Sequence, residues 1–424
     1  MYRLYSFILL SFICFTLSAC SRTEQAVSSE DSDSAVVPRE NTGAVDVYLN
    51  ISGNKVYLLS DETEAGHTNT TASGLVVPVV SDDKYQQARV DAGITDKAIN
   101  ACMQAQDGLW HYDHLADSEK RLYAEVLLIL KLHRTEVKVE AEDYASLYSA
   151  FLCVMEDHPE LYWVDGYTYL NYYNEGDDTE YFAFSGYYSF TPEECEAVDK
   201  EIEAWSDEFF ADITASDTDY DVEKKAYEYI ARTTTYDSSA EHSQSMISVV
   251  RGSSVCQGYS KAFQYLMQRS GIPCTMIAGY VKNRMGHAWN MVSLNGLWYF
   301  VDATWGDDNE TGLISYAYLN MTSKDLEASH EINDILVVPD CMATEYSYYT
   351  LHDTVFDGYD ATRLKNLLNH PTGYVLVKCS SQKAYEDFEY NAIFLQRAFK
   401  MMPLGVTDLM YKEQEESRVV EFWW

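Results

Sequence analysis

Asn295-Gly296 joins two apolar runs in the middle of the chain. An Asn-Gly pair between apolar runs is the strongest short signal for a β-hairpin. The first run contains His287 and the second ends at Asp302, so the hairpin predicts that these two side chains meet across adjacent strands. An aspartate in that position can hold the histidine in one tautomer and stabilise its charged form.

A cysteine precedes the hairpin at the start of a predicted helix. Small and polar residues lead up to Cys256, and the apolar residues that follow it fall on one helical face. The helix dipole and the unpaired amides of the first turn favour the thiolate form of a cysteine there. We expect Gly258 to leave room for a substrate backbone. Taken alone, Cys256 also fits a buried structural cysteine.

Cys256, His287 and Asp302 occur in an order that suits nucleophilic catalysis. A neutral imidazole can take the proton of the thiol and later protonate the leaving amine. A lone histidine or aspartate would carry little information, but a helix-borne cysteine followed by a histidine strand and an aspartate strand is specific. The sequence therefore predicts Cys256 as nucleophile, His287 as general base and acid, and Asp302 as the group that orients His287.

Residues 221–310 resemble a transglutaminase-like (papain-related) core domain. The matching stretches are Tyr236-Asp237, Val255-Cys256-Gln257-Gly258-Tyr259, Gly271-Ile272-Pro273-Cys274, Gly286-His287-Ala288-Trp289-Asn290 and Val301-Asp302-Ala303-Thr304-Trp305-Gly306-Asp307. The resemblance implies an α+β fold in which a helix-borne cysteine packs on an antiparallel sheet that carries the histidine and the aspartate. It implies the same three catalytic roles and no organic cofactor, and we identify no metal site.

Oxyanion and substrate contacts are less defined. The backbone amide of Cys256 is the first candidate donor for a developing oxyanion. Gln244 can supply a side-chain amide, as in papain-like enzymes, or it can be a surface residue at a helix start. Trp289, Tyr280 and Trp305 can line the substrate cleft, although core packing is the alternative, above all for Trp305.

The catalytic core, residues 217–349, is flanked by two further regions. Residues 45–216 predict an α+β region that opens with a hairpin over 45–59 and continues with helices over 83–106, 117–133 and 142–156, two tyrosine-rich strands over 161–190 and a helix over 191–210. Residues 157–166 within it resemble a module that often precedes such cores. Residues 350–424 predict a small α/β domain with a strand, a long helix over 384–400 and two short strands.

The first residues indicate export. An apolar segment over 4–17 is too short to span a bilayer and ends in Leu17-Ser18-Ala19-Cys20, which resembles a lipoprotein processing signal. We expect residues 1–19 to be a signal peptide, Cys20 to carry lipid, and residues 20–44 to form a flexible tether. An ordinary signal peptide with a chance cysteine is the alternative. The expected location is a bacterial membrane or outer surface, outside the cytoplasm.

Charge and cysteine content limit the partners. The formal net charge of −37 excludes nucleic acid as a partner, because phosphate binding needs clustered lysine and arginine.

The chain has nine cysteines, and removal of Cys14 and Cys20 leaves an odd number. Cys274 and Cys341 flank the core and are candidates for a disulfide, or each is a small buried apolar residue. The oligomeric state has no sequence signal.

These features favour a thiol enzyme that acts on amide bonds of a peptide or protein substrate through an acyl-enzyme. Water as acceptor would give a peptidase or amidase, and a lysine amine would give a cross-link; the three residues do not choose between them. The alternative is a non-catalytic lipoprotein that uses the same fold to recognise peptide or glycan.

Overall fold

The computed structural model describes residues 48–51, 54–58, 82–173, 180–281, 284–308, 312–333, 337–369 and 371–424. The predicted signal peptide, Cys20 and the tether lie outside the described residues. The helices are α1 (Asp82–Asp91), α2 (Asp96–Gln104), α3 (Trp110–Asp113), α4 (Asp117–Lys131), α5 (Tyr144–Asp157), α6 (Pro192–Ala211), α7 (Asp219–Thr233), α8 (Met246–Val250), α9 (Cys256–Arg269), α10 (Ala303–Gly306), α11 (Ser323–Leu326), α12 (Tyr348–Leu351), α13 (Ala361–Leu368), α14 (Gln382–Phe388) and α15 (Arg397–Lys400).

The strands form three main sheets and two short pairs. They are β1 (Tyr48–Ile51), β2 (Asn54–Leu58), β3 (Val137–Val139), β4 (Val164–Tyr173), β5 (Glu180–Tyr188), β6 (Thr235–Tyr236), β7 (Ser253–Ser254), β8 (Cys274–Val281), β9 (Met285–Leu294), β10 (Leu297–Val301), β11 (Asp307–Asp308), β12 (Leu313–Ile314), β13 (His330–Ile332), β14 (Val355–Phe356), β15 (Tyr374–Cys379), β16 (Met410–Gln414) and β17 (Val419–Trp423).

The N-terminal region is an antiparallel sheet of order β1-β2-β4-β5-β3 packed against α4 and α5. The predicted hairpin is confirmed, since Ile51 pairs with Asn54 at its turn. The single helix predicted over 83–106 is wrong, because α1 and α2 are separate. Gly93 between them has φ +86°, a left-handed conformation that ends a helix and that glycine adopts without strain.

The central region is a four-stranded antiparallel sheet of order β10-β9-β8-β13, with α9 packed on one face. The predicted Asn-Gly hairpin is confirmed: Asn295 and Gly296 have φ values of +52° and +79°, as a type I′ turn requires, and Leu294 pairs with Leu297. The hydrophobic core on the α9 face also includes residues from α6, α7 and α8. This packing holds α9 in place against the sheet.

The N-terminal region and the central region share buried polar contacts. Ser245, just before α8, donates its hydroxyl to the carbonyl of Tyr162 at 3.1 Å. His111 Nε2 lies 3.3 Å from the carbonyl of Met276 on β8 and 3.2 Å from the buried carboxylate of Glu156. These contacts make the N-terminal region a direct support of the central sheet.

The C-terminal domain has a mixed sheet of order β14-β15-β17-β16, in which β14 and β15 are parallel. Its buried Glu421 accepts a hydrogen bond from Ser315 of the central region at 2.7 Å, and Lys378 pairs with Asp325 at 2.5 Å. The helix predicted over 384–400 is wrong in its length. It is interrupted by a π-helical segment and by Gln396, whose φ of +53° is left-handed.

Of the two alternatives for Cys274 and Cys341, the structure has the second: both are free, buried thiols. Cys274 packs in the core on the α9 face of the sheet, whereas Cys341 packs with Trp289 and Leu326 in a separate cluster. Among the helices that the structure describes, none combines the length and apolar character needed to cross a bilayer.

Candidate active site

The nucleophile candidate Cys256 is the first residue of α9, as predicted. Val255 occupies the N-cap position and offers no side-chain acceptor to the first turn. Thr191 and Thr218, by contrast, cap α6 and α7 with side-chain hydrogen bonds. The first-turn amides of α9 are therefore left without a capping side chain, and such amides can donate to a developing oxyanion.

His287 and Asp302 are joined by the hairpin of β9 and β10. His287 Nε2 lies 2.8 Å from Asp302 Oδ2, and both side chains are buried. The other ring nitrogen of His287 is left for Cys256, which packs against the neighbouring Ala288 and is close enough to raise the pKa of the imidazole. The structure thus brings the three predicted residues together.

Asp302 is held as a fixed anion. Its Oδ1 accepts hydrogen bonds from the backbone amides of Thr304 and Trp305, at 2.9 and 3.1 Å, as the N-cap of α10. Burial alone would raise the pKa of Asp302, but the charges and hydrogen bonds of His287 and His330 outweigh it and hold that pKa well below its usual range. Asp302 is therefore ionised throughout the neutral range.

The charge on His287 follows from its neighbours. Burial would lower the pKa of the imidazole, but the charges of Asp302 and Cys256 and their hydrogen bonds raise it to about 10. Such a shift favours the charged imidazolium form of His287.

A fourth residue, His330 on β13, was not predicted. Its Nε2 lies 3.1 Å from Asp302 Oδ2, the atom that also bonds His287. The ligand atoms of His287, Asp302 and His330 all lie within 4.8 Å of one another, a donor set that a divalent metal can take. The hydrogen bonds among these groups also satisfy them without a metal. No local sequence signal marks His330, because β13 reaches the site by pairing with β8.

Two tryptophans enclose the imidazoles. Trp289 packs edge-on against His330 at 4.9 Å between ring centroids and lies 6.0 Å from His287. Trp305 lies 5.7 Å from His287 and 4.6 Å from His330. Trp289 is completely buried, so in this structure it supports the histidines instead of forming a cleft wall. Trp305 is only partly buried and packs against the same cluster.

The loop ahead of the nucleophile packs on the first turn of α9. A Cβ at Gly258 would lie 2.0 Å from Ser254 Oγ and 2.9 Å from the carbonyl oxygens of Ser243 and Ser245. The expectation that Gly258 leaves room for substrate is therefore wrong, since the protein's own loop fills that space. Gln244 lies in this loop between Ser243 and Ser245 and is partly buried.

The reacting groups are closed off from solvent. Cys256 is 1% exposed, His287 8% and Asp302 0%. A cavity of about 870 Å³ lies beside β13, and its lining includes Tyr280 and His330 but neither Cys256 nor His287.

Part of this chain is similar in sequence to known proteins. The family model described as the transglutaminase-like superfamily matches residues 207–303. Kyphoscoliosis peptidase from Mus musculus and from Homo sapiens each share 32% identity over 77 residues, which cover 15% of this chain. That match spans 12% of the length of those relatives.

A solved structure described as a TGase shares 17% identity, covers 33% of this chain and 44% of its own, and has a TM-score of 0.24. The family match, with a cysteine helix on an antiparallel sheet that carries histidine and aspartate, shows the predicted transglutaminase-like α+β fold for the central region.

Proposed function

We propose that the protein is a cysteine-dependent enzyme that acts on peptide or glutamine amide bonds through an acyl-enzyme. The observation that supports it most is the placement of Cys256 at the start of α9, packed against Ala288, beside a His287 whose Nε2 lies 2.8 Å from Asp302 Oδ2. A buried carboxylate so arranged stabilises the imidazolium that forms when the thiol gives up its proton.

The reaction divides into two steps. The Cys256 sulfur attacks the amide carbonyl, and the first-turn amides of α9 stabilise the oxyanion. The C–N bond then breaks, His287 protonates the leaving amine or ammonia, and a thioester remains. In the second step water or an amine loses its proton to His287 and attacks the thioester, which restores the free thiol.

The acceptor in the second step is set by access to the thioester. With the thiol 1% exposed, the opening that admits a substrate also decides whether water or a lysine amine arrives next. Both outcomes use the same three residues. We propose hydrolysis and acyl transfer as two results of one acyl-enzyme, with a peptide or protein at the cell envelope as substrate.

The place of action follows from the predicted processing signal. Lipid on Cys20 would hold the enzyme at a bacterial membrane outside the cytoplasm, and the acidic tether would let the folded part reach surface proteins or wall peptides.

The experiment uses a glutamine-containing peptide with and without a primary amine. Ammonia release, amine incorporation and new peptide ends are measured separately, so that deamidation, cross-linking and cleavage are distinguished. Cys256→Ala should abolish all three signals, whereas Cys102→Ala should keep them, because Cys102 is the one partly exposed cysteine among the described residues. Activity in Cys256→Ala would reject the proposal.

The alternative is a binding module that retains the fold without turnover. A wild-type protein that binds the peptide but gives none of the three products, with Cys256 unreactive to thiol probes, would favour it.

A further inference from the structure

One carboxylate oxygen of Asp302 contacts two imidazole rings. His287 Nε2 lies 2.8 Å and His330 Nε2 3.1 Å from Asp302 Oδ2, while Oδ1 accepts from two backbone amides. A carboxylate offers about four acceptor positions. All four are occupied here. The fourth donor is His330, which has no role in the proposed mechanism of Cys256, His287 and Asp302.

We propose that His330 is a positioning residue for the catalytic carboxylate: by donating its Nε2–H to Asp302 Oδ2, it holds Asp302 ionised and aligned with His287. This role rests on the proposed function of Cys256, His287 and Asp302. His330 itself does not touch the reacting atoms, so it acts through Asp302.

The need for such a donor comes from burial. The side chains of Asp302 and His330 are both 0% exposed, so no water molecule at the surface can replace a lost hydrogen bond. A buried carboxylate that loses a donor becomes easier to protonate, and a protonated Asp302 no longer stabilises the imidazolium of His287. Loss of His330 should therefore weaken the ion pair of Cys256 and His287, and the effect should appear first as the pH is lowered.

The tautomer of His330 is fixed by its hydrogen-bond partners. Ser329 Oγ lies 2.8 Å from His330 Nδ1. Because the ionised Asp302 can only accept, His330 Nε2 carries a proton, and Nδ1 can then accept from the Ser329 hydroxyl. Trp289 and Trp305 pack against the ring and keep it in that orientation.

Several titratable groups surround this pair, and Glu327, Glu331 and Asp340 line the cavity beside β13 together with His330. His287 approaches Asp302 from β9, with Cys256 of α9 beyond it, and the phenol of Tyr227 on α7 is close enough for its charge to be felt by Asp302. Tyr227 donates its hydroxyl to the carbonyl of Ser315 at 2.6 Å and remains neutral, because burial raises its pKa well above the usual value. A change in the acid range after substitution of His330 therefore reports on the Cys256–His287–Asp302 set.

The test measures alkylation of Cys256 by a small thiol reagent across the acid and neutral range, in the full chain with Cys102→Ala. Two variants are compared: His330→Phe, which removes the donor, and His330→Gln, whose amide can still donate to Asp302. We expect His330→Phe to slow alkylation about 10- to 100-fold on the acid side and to move the acid limb to higher pH, as for loss of a hydrogen bond to a charged group. We expect His330→Gln to restore most of the rate.

Superimposable profiles for His330→Phe and the wild type would overturn the proposal, and so would an equal shift in both variants, which would indicate packing alone. If His330→Phe does not fold, Ser329→Ala carries the test, because loss of the hydroxyl should move the limb in the same direction and an unchanged profile would overturn it. Alkylation needs no turnover. A shifted profile without amide-bond activity would therefore sustain the positioning role and reject the proposed function, and turnover with an unshifted profile would do the reverse.

Discussion

Gln264, on the helix that begins at Cys256, donates its side-chain amide to the backbone carbonyl of Glu156, 2.7 Å away. One turn later, Gln268 donates to the carbonyl of Asp157 at 3.1 Å. The end of α5 is thus tied to α9 by two side-chain amides, of which that of Gln264 is buried. The N-terminal region therefore helps to set the position of the thiol, although all three predicted catalytic residues lie outside it.

Asp157→Ala should destabilise the protein strongly. Asp157 is 1% exposed, and its carboxylate accepts hydrogen bonds from the amides of His111 and Tyr112 and from the hydroxyl of Tyr123. The substitution leaves buried donors unpaired, so we expect a loss of about 2–4 kcal/mol in the free energy of unfolding. Urea unfolding measures it.

Asp143→Ala is the matched control for Asp157→Ala, because Asp143 caps the other end of the same helix at the surface. Loss of that exposed cap should cost about 1 kcal/mol. Equal losses for the two variants would contradict the burial argument.

Substitutions of Cys256 and His287 should separate the roles of these two residues. Cys256→Ala should remove turnover without unfolding the protein, since it deletes only the sulfur. His287→Ala should lower kcat by about 10²–10⁴, the usual contribution of a general acid–base. Circular dichroism checks folding, and steady-state kinetics on the peptide substrate gives kcat. Retained turnover in Cys256→Ala would show that another group is the nucleophile.

The pH profile should be bell-shaped and should depend on Asp302. The raised pKa of His287, about 10, keeps the imidazolium present above neutral pH, so the alkaline limb should lie well above the ordinary histidine value. Asp302→Asn removes the main cause of that rise and leaves burial unopposed. The alkaline limb of kcat/KM should then move to lower pH. An unmoved limb would show that Asp302 does not control the charge of His287.

The raised pKa of His287 also makes the stability of the folded protein depend on pH. A histidine whose folded pKa is raised contributes stability below its unfolded pKa, and that contribution is lost as pH rises through the folded value. For His287 the loss falls between the ordinary pKa and about 10, on the alkaline side.

The sequence predicted the parts of the site that rest on local signals. Cys256 follows small residues at a helix start, and Asn295-Gly296 fixes a two-residue turn whose register follows from its length. His287 and Asp302 could therefore be placed together without knowledge of the rest of the chain.

The remaining features depend on contacts between distant segments. His330 reaches Asp302 because β13 pairs with β8, which is not its neighbour in sequence. The packing role of Gly258 comes from the carbonyls of Ser243 and Ser245, and the break at Gln396 interrupts a run with a continuous helical pattern. Cys274 and Cys341 were equally open to either outcome from spacing, because spacing does not show which core a side chain enters.

Cys20→Ala should release the protein from the membrane fraction. The predicted anchor is the lipid on Cys20, and its loss removes the apolar chains that partition into the bilayer. Fractionation followed by mass spectrometry of the N-terminal peptide measures both the location and the lipid. Cys14→Ala is the control, because Cys14 lies within the predicted signal peptide and should leave anchoring unchanged. A Cys20→Ala protein that stays membrane-bound would place the anchor elsewhere.

Glu223→Gln should stabilise the protein in a pH-dependent manner. Glu223 on α7 is fully buried, with Oε2 bonded to Asn320 at 2.8 Å and no hydrogen-bond partner for Oε1. Burial raises its pKa to about 8, opposed only by the Asn320 hydrogen bond. The folded state therefore keeps a proton that the unfolded state releases above pH ~4.5, so stability falls as pH rises between these values. Gln carries no titratable proton. The free energy of unfolding of Glu223→Gln should therefore equal that of the wild type near pH ~4.5 and exceed it by about 2–4 kcal/mol near pH 8.

The control for Glu223→Gln is Glu228→Gln, further along the same helix. Burial would raise the pKa of Glu228, but Lys224, Tyr316 and Arg232 outweigh it and lower that pKa. Its carboxylate therefore stabilises the fold above the ordinary glutamate pKa and loses that effect as pH falls, so Glu228→Gln should destabilise the protein at neutral pH. Urea unfolding at acidic and at mildly alkaline pH measures both variants. A gain for Glu223→Gln that does not grow with pH would show that Glu223 is ionised in the folded protein.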